Sequence, residues 1–321
     1  MSVISYVIPV YHNEGSIELT WKAIRDLFAT SLPEHEYEIV FVNDGSKDGS
    51  YAEMQRVAAQ DANVRIIAFT RNFGQLAATL AGFDAASGDA VINMSADMQD
   101  PVELTAQMVR KWEQGNEVVV AHRADREDTF TASMFSRIVY GILRMSNPSM
   151  PAGGFDFTLM SRRALTLFMS MKGRHRFFQG DVLWAGFPTA YLPYVRRKRE
   201  IGKSQYNFSK KLKLAFDFII DGSYLPIRLM SLSGTVLAML GLCYALVIAV
   251  SRLFNLTPFS GWAPIMVAIL VVGGMIMLML GVIGEYLWRI LDEIRAKPMY
   301  IVREDSAEKA AISKREVGVK L

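Results

Sequence analysis

Two stretches near the end of the chain, Leu229–Ser251 and Trp262–Gly284, contain no charged residue. Each is long enough to cross a hydrocarbon core, which takes about 20 residues as a helix. The connector Arg252–Gly261 is short, so the two runs are expected to form a helical hairpin in a membrane, with a pair of buried core helices as the alternative. Lys210, Lys211, Lys213 and Arg228 precede the first run and Arg289, Arg295, Lys297 and Arg303 follow the second, while only Arg252 lies between. That bias predicts that both flanks are cytosolic. Asn207–Leu225 mixes lysines with aromatic and aliphatic residues at helical spacing. It reads as an interfacial helix on the membrane, or as a linker helix packed on the body. The expected organisation is a soluble body over 1–206, an amphipathic segment over 207–228, a two-helix hairpin over 229–288 and a tail over 289–321. Beyond Glu304 the tail is charged and poor in large apolar residues, which predicts disorder.

The hydrophobic share of 51% is high for a soluble enzyme, and the excess collects after about residue 225. Net charge is only +3, from 35 basic against 32 acidic residues, which gives no global argument for nucleic acid. A single cysteine, Cys243, excludes an intrachain disulfide framework and a cysteine-based zinc site. His12, His35, His122 and His175 show no metal-ligand spacing. The first residues lack the basic region of a signal peptide, so the body is expected to stay in the cytosol.

The first half alternates short β-branched runs with helical patterns. Strands are predicted over Ser2–Val10, Tyr37–Asn43, Val64–Thr70, Ala90–Ser95 and Glu117–His122. Helices are predicted over Ser16–Ser31, Tyr51–Asp61, Gln75–Ala86 and Pro101–Gln114. This is an α/β pattern with a mostly parallel sheet covered on both faces. Such sheets bind ligands at the carboxyl ends of their strands. The polar clusters Tyr11–Glu14, Asn43–Asp44, Asp97–Asp100 and Arg123–Arg126 fall at those predicted ends. Asp100 reads as a helix N-cap before Pro101. By spacing alone, Asp97 is either a ligand to a hard cation or a loop carboxylate. Arg174, His175 and Arg176 read as a solvated or membrane-facing basic turn, and Glu285 as a residue reaching water or headgroups.

Five motifs occur in order: VIPVYHNEGSI, VNDGSKDGS, FTRNFGQLAATLAGFDAASGDAVINMSADMQDP, GGFDFTLMSRR and PYVRRKREIGKSQYNF. With the C-terminal runs, they resemble the inverting glycosyltransferases of family 2 with the GT-A fold, a Rossmann-like catalytic domain. Within that family they are most similar to the polyprenyl-phosphate sugar transferases. The resemblance implies transfer of a sugar from a UDP-sugar to a polyprenyl phosphate with the help of Mg2+ or Mn2+. It implies that Pro9, Tyr11 and Asp44 line the nucleotide pocket, with Asn13 or Glu14 on the base. Asp97 and Gln99 would hold the metal on the diphosphate, and Asp156 would face the acceptor. Arg123 and Arg137 would bind the lipid phosphate, and Arg199 would sit on a loop closing over the donor. A homo-oligomer, a tetramer by resemblance, is also implied, and small residues such as Gly234, Gly241 and Gly281 would permit close packing of the spans.

The sequence departs from the family pattern at four places. Ser95 replaces the first acid of the Asp-Ala-Asp metal motif, Asn43 replaces the first acid before Gly45-Ser46, His12-Asn13-Glu14 alters the first loop, and Thr158 replaces a common arginine. A processive polysaccharide synthase is the alternative enzyme, but two spans make a poor conduit and no Gln-x-x-Arg-Trp motif is present. A non-catalytic nucleotide-sugar-binding regulator is the alternative outside enzymes, with Ser95 its main support.

Overall fold

The computed structural model describes residues 1–123, 141, 144, 148–151, 154–171, 173, 174, 176–195, 225–254 and 263–307. The chain divides into two compact units, Met1–Lys211 with Pro298–Leu321, and Leu212–Lys297.

In the first unit, β1 (Val3–Val10), β2 (Glu36–Asn43), β3 (Val64–Phe69) and β4 (Ala90–Asn93) pair in parallel in the order β4-β1-β2-β3. The connecting helices are α1 (Ile17–Ser31), α2 (Ser50–Gln60) and α3 (Gln75–Ala85), as the alternating pattern predicts. α4 (Leu104–Glu113) then leads to β5 (Val118–Arg123). Past β5 the sheet becomes mixed. β6 (Thr158–Ser161) runs antiparallel between β4 and β5, and β7 (Thr189–Tyr194) runs parallel to β5. α5 (Arg162–Ser170) and α6 (Phe178–Trp184) come between β6 and β7 in the chain, and Ser161 caps α5 by accepting from Ala164 N.

Side chains alternate across the sheet, so each strand feeds two layers. From β1, Ile4, Tyr6, Ile8 and Val10 enter a buried core with Trp21, Ile24 and Phe28 of α1 and Met108 and Val109 of α4. Val7 faces the other layer. There Gly82 lets α3 approach, because a Cβ would overlap Val7 Cγ1. Phe83 of α3 packs edge-on against Phe168 of α5 at 5.8 Å, so helices cover this face as well.

Of the tail expected to be disordered beyond Glu304, residues 305–307 lie against the sheet, and residues 308–321 fall outside the described residues. β8 (Val302–Asp305) pairs antiparallel with β3 and completes the order β7-β5-β6-β4-β1-β2-β3-β8. Asp305 takes a bidentate pair from Arg65, Nε to Oδ1 at 3.1 Å and Nη2 to Oδ2 at 2.6 Å, and Ile66 N donates to Ser306 Oγ. Tyr300 stacks on Phe69 with ring centroids 5.0 Å apart. Local composition predicts disorder for such a charged segment, but its partners are 240 residues away in sequence. β8 also covers what would otherwise be an open sheet edge at β3.

In the second unit, α7 (Leu225–Leu253) and α8 (Ala263–Ile294) contain 29 and 32 residues. At 1.5 Å per residue they measure about 44 and 48 Å, longer than the roughly 30 Å of a hydrocarbon core. Leu242 and Met277 are 74% and 69% exposed, and both helices are long and apolar enough to cross a membrane. Glu285 pairs with Arg289 one turn on, at 3.2 Å. The expected interfacial helix falls on residues 207–224, outside the described residues, as does most of the connector between the apolar helices.

The Asp305 carboxyl is partly buried, which by itself would raise its pKa, but the bonds from Arg65 and Ala307 N hold it below the ordinary value. A depressed carboxyl stabilises the fold above its unfolded pKa of about 3.9, and that stability is lost as pH falls through the folded value. Asp305→Ala is expected to cost about 1–3 kcal/mol near neutral pH, a drop of about 2–12 °C in Tm. Thermal unfolding of the detergent-solubilised full chain at pH 7 and pH 3 checks this, the difference between variant and parent narrowing at the lower pH.

Candidate active site

Because β1, β2 and β4 are parallel, their carboxyl ends meet at one edge of the sheet. The loop after β1 is held there by α2. Glu53, only 3% exposed, accepts from Gly15 N at 2.7 Å and Glu18 N at 2.9 Å, satisfying backbone donors at the start of α1. Asn13 N donates to Ser50 Oγ, His12 N to Ser46 Oγ, and Ser16 Oγ to Ala96 O at 2.7 Å. That last bond joins the β1 loop to the β4 loop. Pro9 is half-buried opposite Val42, and Tyr11 is 38% exposed with its ring 4.4 Å from that of His12. Tyr11 thus presents an aromatic surface at the mouth of the edge. The Asn13 amide oxygen accepts from Tyr11 N, and the Glu14 carboxylate accepts from Gly49 N at 2.9 Å. The Glu14 carboxylate thus joins the loops after β1 and β2, and the Asn13 amide braces its own loop.

Asp44 is buried after β2 and accepts from Phe73 N at 2.6 Å and Gly74 N at 3.0 Å. Burial pushes its carboxyl up, against the opposing pull of those two N–H groups and Arg71. The adjacent Gly45 has φ +68°, and a Cβ there would lie 2.5 Å from Arg71 C. Asp44 and Gly45 therefore fasten the loop after β3 against the loop after β2, shaping the pocket wall.

After β4, Ser95 Oγ donates to Asp97 Oδ1 at 2.8 Å, and Gln99 N donates to the same oxygen at 3.2 Å. Asp97 is 4% exposed. Among the described residues, no group of three or more His, Cys, Asp or Glu is placed to hold a metal. Asp97 and the Gln99 side-chain amide would supply oxygens carrying one charge, a set that suits a hard cation taking its remaining ligands from a diphosphate and water. The serine in place of an acid thus orients the remaining carboxylate and adds no second negative charge.

The antiparallel strand β6 completes the edge. Asn93 is in register with Thr158, and its Nδ2 donates to Asp156 O at 2.8 Å, so Asp156 arrives beside the end of β4. Gln179 of α6 fixes the same segment by donating from Nε2 to Phe155 O at 2.7 Å. The Asp156 carboxylate is 54% exposed and faces Arg123 at the end of β5, with Nη2 to Oδ2 at 3.8 Å. Burial alone would lower the Arg123 pKa, but Asp156, Tyr194 and Asp100 together raise it. The guanidinium stays charged, with more donors than Asp156 can use.

Two residues serve differently from the sequence expectation. Asp100 is no N-cap, since α4 begins at Leu104 after turns from Pro101 and Val102. Its buried carboxylate accepts from Tyr194 OH at 2.7 Å and from Ser95 N at 3.4 Å. Arg176 is not solvated: its side chain is 6% exposed, pairs with Asp181 at 2.8 Å and lies over the Phe168 ring at 4.1 Å. Arg137 and Arg199 lie outside the described residues. The roles of Glu53, Asn93, Gln179 and Tyr194 escaped the sequence analysis because their partners are distant in the chain. A polar residue inside a predicted strand or helix, as at Asn93 and Glu53, is the signal that was available.

Residues 5–168 match the family model described as glycosyl transferase family 2. A bactoprenol glucosyl transferase of Shigella phage SfII is 35% identical over 306 residues, covering 94% of this chain and 97% of that protein. The chain belongs to glycosyl transferase family 2. Another member, an uncharacterized glycosyltransferase of Bacillus subtilis, is 38% identical over 305 residues, covering 94% of this chain and 93% of its own. The first unit of this family 2 chain has a GT-A-like fold. Glucosyl-3-phosphoglycerate synthase from Mycobacterium tuberculosis, solved with Mn2+, uridine-diphosphate-glucose and phosphoglyceric acid, matches with a TM-score of 0.51 at 17% identity over 68% of this chain and 78% of that one.

Ser95→Ala would leave Asp97 without its orienting hydroxyl. Loss of such an outer partner is expected to weaken Mn2+-dependent UDP binding about 10-fold, read by calorimetry with and without Mn2+. Equal affinities in parent and variant would show that Ser95 does not orient Asp97.

Proposed function

We propose that this family 2 member transfers a hexose from a UDP-sugar to polyprenyl phosphate at the cytosolic membrane face, with inversion at the anomeric carbon. The observation that carries the reading is the pairing of Asp156 with Arg123 beside the Asp97 loop, in a chain with two bilayer-length helices. Relatives named bactoprenol glucosyl transferase support a polyprenyl phosphate acceptor and make glucose the first sugar to test. The basic flanks of the apolar runs support cytosolic ends for both helices.

A phosphate monoester has a second pKa of about 6, so the acceptor oxygen is already largely anionic near neutral pH. It needs no strong base. Its approach requires a cation to hold it, and Arg123 supplies a planar set of donors for that purpose. Asp156, exposed beside Arg123, bounds the position of the phosphate and attracts the guanidinium. The acceptor oxygen forms a bond to the anomeric carbon while the bond to the UDP oxygen breaks, and UDP departs with the electron pair. One in-line displacement inverts the centre. A divalent cation, Mg2+ or Mn2+, held by Asp97 and Gln99 would neutralise charge on the departing diphosphate. Tyr11 offers its ring to the base, while Asp44 acts on the pocket through the loop that it fastens. Arg137 and Arg199 are proposed for the acceptor phosphate and the donor loop.

The test is incubation of the purified full chain with undecaprenyl phosphate, Mn2+ or Mg2+ and a panel of UDP-sugars, following UDP release and lipid product together. Asp156→Asn is expected to lower product formation by at least about 100-fold while UDP affinity is retained. UDP binding with no product from any donor would favour the non-catalytic reading instead.

A further inference from the structure

Arg123 has two neighbours of different character. On one side is Asp156, at 3.8 Å and half-exposed. That separation exceeds the usual 2.7–2.9 Å of a charge-assisted hydrogen bond, so Asp156 attracts the guanidinium without fixing its plane. On the other side is Tyr194. Arg123 and Tyr194 are the last residues of β5 and β7 and are register partners in that parallel pair. Their side chains therefore leave the same face of the sheet, and the two groups act on each other electrostatically.

Tyr194 is itself held firmly. It is 8% exposed, its ring packs edge-on against Phe157 at 6.3 Å, and its hydroxyl donates to Asp100 Oδ1 at 2.7 Å. Asp100 is 4% exposed, and its other oxygen accepts from Ser95 N. A buried carboxylate is costly unless hydrogen-bonded and electrostatically compensated. Here the compensation comes through Tyr194 from Arg123. Burial and the nearby Asp100 charge also push the Tyr194 phenol up, which keeps its proton in place to donate.

We propose that Tyr194 and Asp100 are positioning residues that fix the Arg123 guanidinium for an anionic phosphate ligand. The path runs from Asp156 through Arg123, Tyr194 and Asp100 to Ser95. Removing the Tyr194 hydroxyl leaves the ring packing intact but frees the guanidinium to rotate and leaves Asp100 short of a donor. Misplacement of a positioning group by about 1 Å can cost on the order of 100-fold.

The inference rests on the reading of Arg123 as a phosphate anchor, so the test separates the two. Parent, Tyr194→Phe, Arg123→Ala and the double variant are prepared as the full chain in nanodiscs. Farnesyl phosphate and UDP are titrated calorimetrically, and Tm is measured for all four. The expected result is that each single variant weakens farnesyl phosphate about 10- to 100-fold, with UDP affinity nearly unchanged. The double variant should then be no weaker than Arg123→Ala alone, since the hydroxyl acts through the arginine. Additive losses, or a Tyr194→Phe protein that binds farnesyl phosphate like the parent while Arg123→Ala does not, overturn the positioning role. If Arg123→Ala leaves farnesyl phosphate binding unchanged, the anchor reading falls and the phosphate role of both residues falls with it. In that case non-additive Tm changes would still support the Tyr194–Arg123 coupling, and additive ones would overturn it.

Discussion

β6 lies antiparallel between β4 and β5, and its direction decides where the chemistry can occur. Parallel strands deliver their carboxyl ends to one edge, which collects the loops after β1, β2 and β4. A further parallel strand would bring only its carboxyl end there. Because β6 runs the other way, the residues preceding it, Asp156 and Phe157, arrive at the same edge. The register of Asn93 with Thr158 and the bond from Asn93 to Asp156 O set the height of that carboxylate. β5 and β7 then bring Arg123 and Tyr194 alongside.

Buried carboxylates hold this edge together, each in a different way. Glu53 satisfies backbone donors at the start of α1, Asp44 those of Phe73 and Gly74, and Asp100 a phenol and a backbone N–H. A carboxylate offers several acceptor sites on two oxygens, so it can join segments that have no side-chain contact of their own. The loops are consequently pinned before any ligand arrives, and the exposed groups at the edge, Tyr11 and Asp156, are carried on a braced frame.

Ser95 shows how a departure from a family pattern acquires physical meaning. In sequence it is a missing acid at the metal motif. In the structure its hydroxyl donates to the acid that remains, so Asp97 keeps a defined orientation in a site with less negative charge. The C-terminal segment carries a comparable lesson. Val302–Asp305 is short and charged, yet it closes the β3 edge because Arg65 and Phe69 present partners to it. Its fate was set by residues elsewhere in the chain.

The sequence by itself determined the strand–helix alternation through β5, the two bilayer-length helices and the motifs that place the chain in its family. These are local signals, since hydrophobic period, helix length and turn residues act over a few neighbours. It also located Asp97, Asp156 and Arg123 at the predicted edge or in the family motifs. Only the tertiary structure decided the direction of β6, the return of β8 and the roles of Asp100, Gln179, Arg176 and Tyr194. Tyr194 sits 94 residues from the carboxylate it bonds, and Arg65 lies 240 residues from its partner. No local pattern encodes such pairs. They form because a folded sheet brings remote polar groups into a low-dielectric interior, where each must find a partner.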